Sequence, residues 1–273
     1  MSQSEQKLVA GVDSSTQSVK LVIRNAVTGE LVRSGRASHP DGTEVNPTLW
    51  ATALDQAIAA AGGISDVSAI AIGGQQHGMV ALDNNGAVVR DALLWNDTRS
   101  AQAAKDLNHE LGGDAETARK VGSVLVASFT ASKLRWLADH EPDNAKRVAA
   151  VALPHDWLSW QLQGGKDFEK LFTDRSDASG TGYFDPTTSH YRYEILSLAL
   201  KHDSEIYLPK IIAPNAFGGT TLGGIPIAAG AGDNAGAALG LNAQPGDVIM
   251  TLGAGDVSSL APIIVEGLAR RFG

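Results

Sequence analysis

Leu8-Val9-Ala10-Gly11-Val12-Asp13-Ser14-Ser15-Thr16-Gln17-Ser18-Val19-Lys20-Leu21-Val22-Ile23 decides how the rest of the chain is read. Leu8 to Val12 is apolar and β-branched, the composition of a buried strand, and Val19 to Ile23 repeats it. Between them, Asp13 to Ser18 offers hydroxyls, backbone N–H groups and one carboxylate, with the Lys20 ammonium just beyond. A plain hairpin would favour a two-residue Asn-Gly turn. This one is longer and packed with hydroxyls, which suits a turn that meets phosphate. Working outward, Thr28-Gly29-Glu30 is the next turn and Leu31 to Ala37 a third strand. Pro47 opens a helix in which Trp50, Leu54, Ala57, Ile58 and Ala61 recur at three- and four-residue spacing, and Gly62-Gly63 ends it. Val67 to Ile72 is a further buried strand. The order β-β-β-α-β, opening antiparallel, differs from a βαβ dinucleotide fold, whose glycine motif joins the first strand directly to a helix.

The chain has 273 residues, 43% of them hydrophobic and 19% charged, enough for one large or two modest domains with a real core. Its net charge of -8 argues against a nucleic-acid surface and suits action on small molecules. An anionic substrate would then need local N–H groups, Mg2+ or a few cations. There is no cysteine, so disulfides and thiolate chemistry are excluded and a reducing, cytoplasmic setting fits. Met1 to Lys7 is polar, so no signal peptide is expected, and no apolar run is long enough to predict a membrane span.

Candidate chemistry gathers at strand ends. Gly73-Gly74-Gln75-Gln76-His77-Gly78 sets two amides and an imidazole between glycines, groups able to bond several hydroxyls of a polyol. A loop in which backbone satisfies His77 is the simpler alternative. Leu94-Trp95-Asn96-Asp97-Thr98-Arg99 mixes an aromatic, an amide, a carboxylate and a guanidinium. Asp97 or Thr98 also suits the N-cap of a helix running from Arg99 to Leu111. The middle of the chain is helix-rich, with Trp136, Trp157 and Trp160 on helical segments, and packs on the first sheet. Thr173 to Gly180 is rich in hydroxyls and acids and reads as a turn or as the edge of a cleft. Further on, the apolar run Ile225 to Ala229 leads into Gly230-Ala231-Gly232-Asp233-Asn234-Ala235-Gly236, a strand, a tight glycine loop and a helix start. Asp233 there can take a proton from a hydroxyl that attacks phosphorus, or simply cap the helix. Val248 to Leu252 is a strand ending in a glycine turn, Gly253-Ala254-Gly255-Asp256.

In this order, Gly11 to Lys20, Gly74 to Gly78, Leu94 to Arg99, Ser176 to Thr181 and Gly230 to Ala235 together resemble the FGGY carbohydrate kinases, and the Gln75-Gln76-His77-Gly78 piece looks most like the xylulokinase branch. The resemblance implies an α/β fold, the ribonuclease-H-like, actin-like ATPase domain, with ATP in a cleft between two domains. It implies phosphorylation of D-xylulose to D-xylulose 5-phosphate. Related polyols (ribulose, gluconate, glycerol) or a catalytically incomplete sugar-binding domain are the alternatives. Asp13 would hold Mg2+. Ser14, Ser15, Thr16, Lys20 and Gly253 would face ATP. Gln76, His77, Trp95, Asn96, Asp97 and Asp233 would meet the sugar, with Asp233 the base. A homodimer is compatible with it. Family members run to roughly twice this length at the usual domain size. Residues 1–245 are accordingly expected to be the sugar-binding and catalytic domain, and 246–273 the start of an ATP-binding domain that is mostly absent. The family's second phosphate turn usually reads Gly-Thr-Ser-Gly, whereas Gly253-Ala254-Gly255-Asp256 lacks the hydroxyls and adds a negative charge.

Overall fold

The structure is a computed structural model and describes residues 7–241. The chain divides after Ala235, and the part before that point carries the main sheet and both hydrophobic cores. At the centre of this part is a mixed sheet. Strand β1 (Leu8–Ser14) pairs antiparallel with β2 (Ser18–Asn25), which pairs antiparallel with β3 (Leu31–Ser38). On its other side β1 runs parallel to the strand Val67–Gly74. That strand in turn runs parallel to both Pro226–Ala228 and Ala231–Gly232, and Phe217–Thr220 closes the edge antiparallel to Pro226–Ala228. The antiparallel opening and the β-β-β-α-β order are as the sequence predicts.

The first turn is tighter than expected. β1 runs on through Asp13 and Ser14, and the Ser15 N–H donates to the Ser18 carbonyl at 3.1 Å, so Thr16 and Gln17 alone turn the chain. The alternation of β1 explains this. Leu8, Ala10, Val12 and Ser14 are buried in turn, so Asp13 falls on the opposite, exposed face.

Helix α1 (Pro47–Ala60) starts where Asn46 accepts from the Thr48 N–H at 3.0 Å and Pro47 presets the first turn. Trp50, Ala53, Leu54 and Ala57 form its buried stripe, laid on β2 and β3. Trp50 meets Trp157 edge-on, with ring centroids 6.5 Å apart. This core, with Leu21, Ile23, Ile70, Ile72 and Trp160, belongs to the sheet. A second core, around Leu107, Leu134, Leu137, Tyr183 and Ile195, belongs to the helices. A two-stranded ribbon, Val80–Leu82 with Ala150–Ala152, lies between them. Val80, Leu82, Ala150 and Ala152 face the first core while Ala81 and Val151 face the second, as the two-residue period of a strand requires.

Candidate active site

The sheet brings together the two carboxylates that the sequence singles out. In register, Asp13 and Ser14 of β1 lie opposite Gly73 and Gly74, and Ala231 and Gly232 lie opposite the same two glycines from the other side. The strand Val67–Gly74 therefore separates Asp13 from Asp233 at one end of three parallel strands. Two strand spacings put their backbones on the order of 10 Å apart, room for a reacting group between them. Asp233 is the first residue of the helix Asp233–Gly240, not the residue before it. Its carboxylate accepts from the Asn234 N–H at 2.8 Å and is otherwise exposed. Crowding by the surrounding chain, and then the negative charge of Asp13, hold its carboxyl above the ordinary value. That is the direction a general base needs.

Around this pair the remaining candidates fall into three groups. The turn after β1 is the first. The Ser15 hydroxyl bonds the Ser18 carbonyl, the Thr16 hydroxyl accepts from the Trp95 indole N–H at 2.8 Å, and Lys20 is exposed directly opposite Asp13. Ser14 differs from the rest. Its side chain is buried and makes no hydrogen bond among the described residues.

The second group follows the strand Val67–Gly74. The Gln76 amide donates to the Ser176 carbonyl at 2.9 Å. It also lies against Gly232, where an added Cβ would come within 2.6 Å of Gln76 Nε2. His77 has φ 68°, left-handed backbone that few residues other than glycine adopt. Its carbonyl is held by Thr130 Oγ1 at 3.2 Å and Lys133 Nζ at 3.0 Å. Its Nδ1 lies 2.8 Å from the Gly180 carbonyl, so Nδ1 carries the hydrogen and Nε2 offers a lone pair. Burial pushes the imidazole down, outweighing Gly180, and Lys133 adds to the effect, so the ring is neutral near pH 7.

The third group is the turn at Leu94 to Arg99. Trp95 and Asn96 are exposed, but Asp97 is buried. Its oxygens accept from Thr43 Oγ1 at 2.8 Å, the Arg99 N–H at 3.0 Å and Arg99 Nε at 2.9 Å. Burial works against its charge, yet these bonds hold its carboxyl below the ordinary value. The helix begins only at Ala101, so Asp97 braces the turn and neither it nor Thr98 caps the helix. Gly253 lies outside the described residues.

The family described as "FGGY family of carbohydrate kinases, N-terminal domain" matches residues 8–240. The chain belongs to the FGGY family of carbohydrate kinases. It is 45% identical over 266 residues to a xylulose kinase of Streptomyces coelicolor, covering 93% of this chain and 54% of that protein. A xylulose kinase sequence from an Arthrobacter species is 72% identical over 94 residues, 34% of this chain and 98% of that sequence. Among solved structures, xylulose kinase from Bifidobacterium adolescentis superposes with a TM-score of 0.88 at 44% identity, covering 92% of this chain and 58% of that one. The fold is thus the actin-like, ribonuclease-H-like ATPase fold of FGGY kinases. The chain spans about half the length of the curated relatives it matches.

Sequence reasoning missed two buried polar residues that lie against the candidate site residues. Lys133 reads as one more helix residue, yet it is fully buried with its ammonium on the His77 and Ser128 carbonyls. His155 falls just before a helix expected from Asp156, yet it is the second residue of that helix and lies buried beneath Gly230. In both cases the signal was a polar side chain among buried apolar neighbours, Leu134 and Trp157.

Proposed function

We propose that this chain is the first domain of an ATP-dependent kinase that phosphorylates D-xylulose on its terminal hydroxyl, giving D-xylulose 5-phosphate. The observation that carries the reading is the convergence of Asp13 and Asp233 at the same end of two parallel strands that flank Val67–Gly74, with Gln76 tied to the Asp233 loop. Relatives named xylulose kinase support the choice of sugar.

Asp233 accepts the proton of the attacking hydroxyl, and its raised carboxyl makes it a stronger base than an ordinary aspartate. The amide of Gln76, the lone pair on His77 Nε2, and the exposed Trp95 and Asn96 orient the sugar. Asp97 meets it only through the turn it braces. Ser15, Thr16 and Lys20 face the phosphates from the turn after β1; the buried Ser14 side chain points to the opposite face of the strand from Asp13. Asp13 is an exposed carboxylate at the edge of the hydroxyl-rich turn, and a carboxylate oxygen is a donor that fits a hard cation. Mg2+ held there would neutralise charge on the transferring phosphate. Residues 1–245 form this domain, residues 246–273 begin a second one that contributes to the ATP site, and the protein works in the cytoplasm. Among the described residues no helix is long and apolar enough to cross a membrane.

A coupled ADP-release assay with Mg-ATP tests the reading, run with D-xylulose, D-ribulose, L-ribulose, glycerol and gluconate. It is applied to this chain and to one extended to the length of its relatives. D-xylulose is expected to give the highest kcat/KM. A preference for another sugar would overturn the substrate, and no turnover with any would overturn the kinase reading.

A further inference from the structure

Beneath the loop that carries Asp233 lies a buried ionic cluster with no part in the chemistry above. His155, on the helix Pro154–Leu162, is 1% exposed, and Asp156 and Asp177 are 1% and 0% exposed. His155 Nε2 lies 3.1 Å from Asp174 Oδ2. Its Nδ1 lies 2.7 Å from Asp177 Oδ2 and 3.0 Å from Asp156 Oδ1. Both ring nitrogens therefore face carboxylates. Nε2 is hydrogen-bonded to Asp174, while the carboxylates at Nδ1 approach without hydrogen-bond alignment; a neutral ring would set a lone pair against carboxylate oxygen there, so the surrounding charge favours the doubly protonated ring. Burial opposes that charge, but Asp177, Asp156 and Asp174 together hold the imidazole well above its ordinary value.

The cluster reaches the loop by two routes. The first is packing: a Cβ added at Gly230 would fall 2.3 Å from His155 Cδ2, so the ring lies directly against the backbone there. The second is a chain of hydrogen bonds. Asp174 faces His155 through Oδ2 and accepts from the Ser176 N–H at 2.6 Å and from the Ser176 hydroxyl through Oδ1. Burial alone would raise the Asp174 carboxyl, but His155 and Ser176 hold it below its ordinary value. As a carboxylate Asp174 can only accept, so Ser176 spends its one hydroxyl hydrogen there. The Ser176 oxygen is then free to accept the Gly232 N–H, at 3.0 Å.

We propose that His155 is a positioning residue for the Asp233 loop: a buried cation that keeps Asp174 an acceptor, and so directs the Ser176 hydroxyl to fix the Gly232 N–H one residue before Asp233. The catalytic relevance of this device rests on the reading of Asp233 as the base; the ordering of the loop does not. Nδ1, Asp156 and Asp177 are also close enough together to hold a metal ion. The positioning role rests on the Nε2 hydrogen bond to Asp174 at 3.1 Å; at Nδ1 the 2.7 Å approach of Asp177 is an ionic contact without hydrogen-bond alignment.

Amide hydrogen exchange resolved at Gly232 tests the ordering without reference to activity. His155→Gln is expected to speed exchange at Gly232 by about tenfold or more while Leu21 and Ile70 keep their protection, and His155→Lys, which retains a cation, to recover most of it. If His155→Gln fails to fold, Ser176→Ala removes the last link and leaves the buried cluster intact; it is expected to loosen Gly232 equally. In the extended chain, Ser176→Ala is expected to lower kcat by about tenfold with the sugar KM little changed. Gly232 exchange within twofold of the parent in the folded variants, or one equivalent of metal bound by the purified protein, overturns the positioning role. Loosened exchange with kcat unchanged overturns its catalytic relevance alone.

Discussion

At the residue scale, two environments set testable pH behaviour. Asp233 must be deprotonated to act as a base, and crowding together with Asp13 raises its carboxyl. Activity is therefore expected to fall with decreasing pH before the ordinary aspartate range is reached, and an acid limb in or below that range would contradict this role for Asp233. Lys133 gives the opposite kind of test. Burial pushes its ammonium from 10.5 down to about 7. Between those values the unfolded chain binds the extra proton, so Lys133 costs stability at neutral pH and less as pH rises. The urea stability of the parent relative to Lys133→Met should then climb by about 1.4 kcal/mol per pH unit at the steepest, since other titrations cancel in the difference. A flat difference between pH 7 and 10 would mean that the two carbonyls around the ammonium already compensate its burial.

At the scale of elements, α1 and β3 approach so closely that Gly35 has no room for a side chain. A Cβ there would lie 1.9 Å from the Ala57 carbonyl oxygen and 2.9 Å from the Ala61 nitrogen. Gly35→Ala is expected to cost about 2–3 kcal/mol in thermal or urea unfolding, and a loss below about 0.5 kcal/mol would show that the helix can lift at little cost. Much at this scale was legible in the sequence. Apolar runs marked β1, β2 and Val67–Gly74, the turn at Thr28-Gly29-Glu30 marked the start of β3, and Pro47 with its three- and four-residue spacing marked α1. Polar ends were harder. Asp13 and Ser14 read as turn because their side chains are polar, yet their backbone continues the ladder against Gly73 and Gly74. Asp97 read as a helix cap from local sequence, but Thr43, distant in the chain, claims one of its oxygens. The pairing of Gln76 with Ser176 and Gly232, and the gathering of His155 with Asp174 and Asp177, depend on contacts that no local pattern encodes.

At the scale of the molecule, the Val80–Leu82 and Ala150–Ala152 ribbon gives the two hydrophobic cores a shared wall. Neither core can lose that wall alone, so both are expected to open together. Amide exchange at Leu21 and Ile70 in one core should match that at Leu107 and Leu134 in the other to within about tenfold; a larger gap would show two independent units. The same sheet carries Asp13 and Asp233 to one end of its parallel strands, and the kinase reading stands or falls on that pair. The most direct test is Asp233→Asn in the extended chain, with ADP release and calorimetric binding of D-xylulose measured side by side. If Asp233 is the base, kcat falls by roughly 10²–10⁴-fold with sugar binding retained. Turnover within a few-fold of the parent would contradict it.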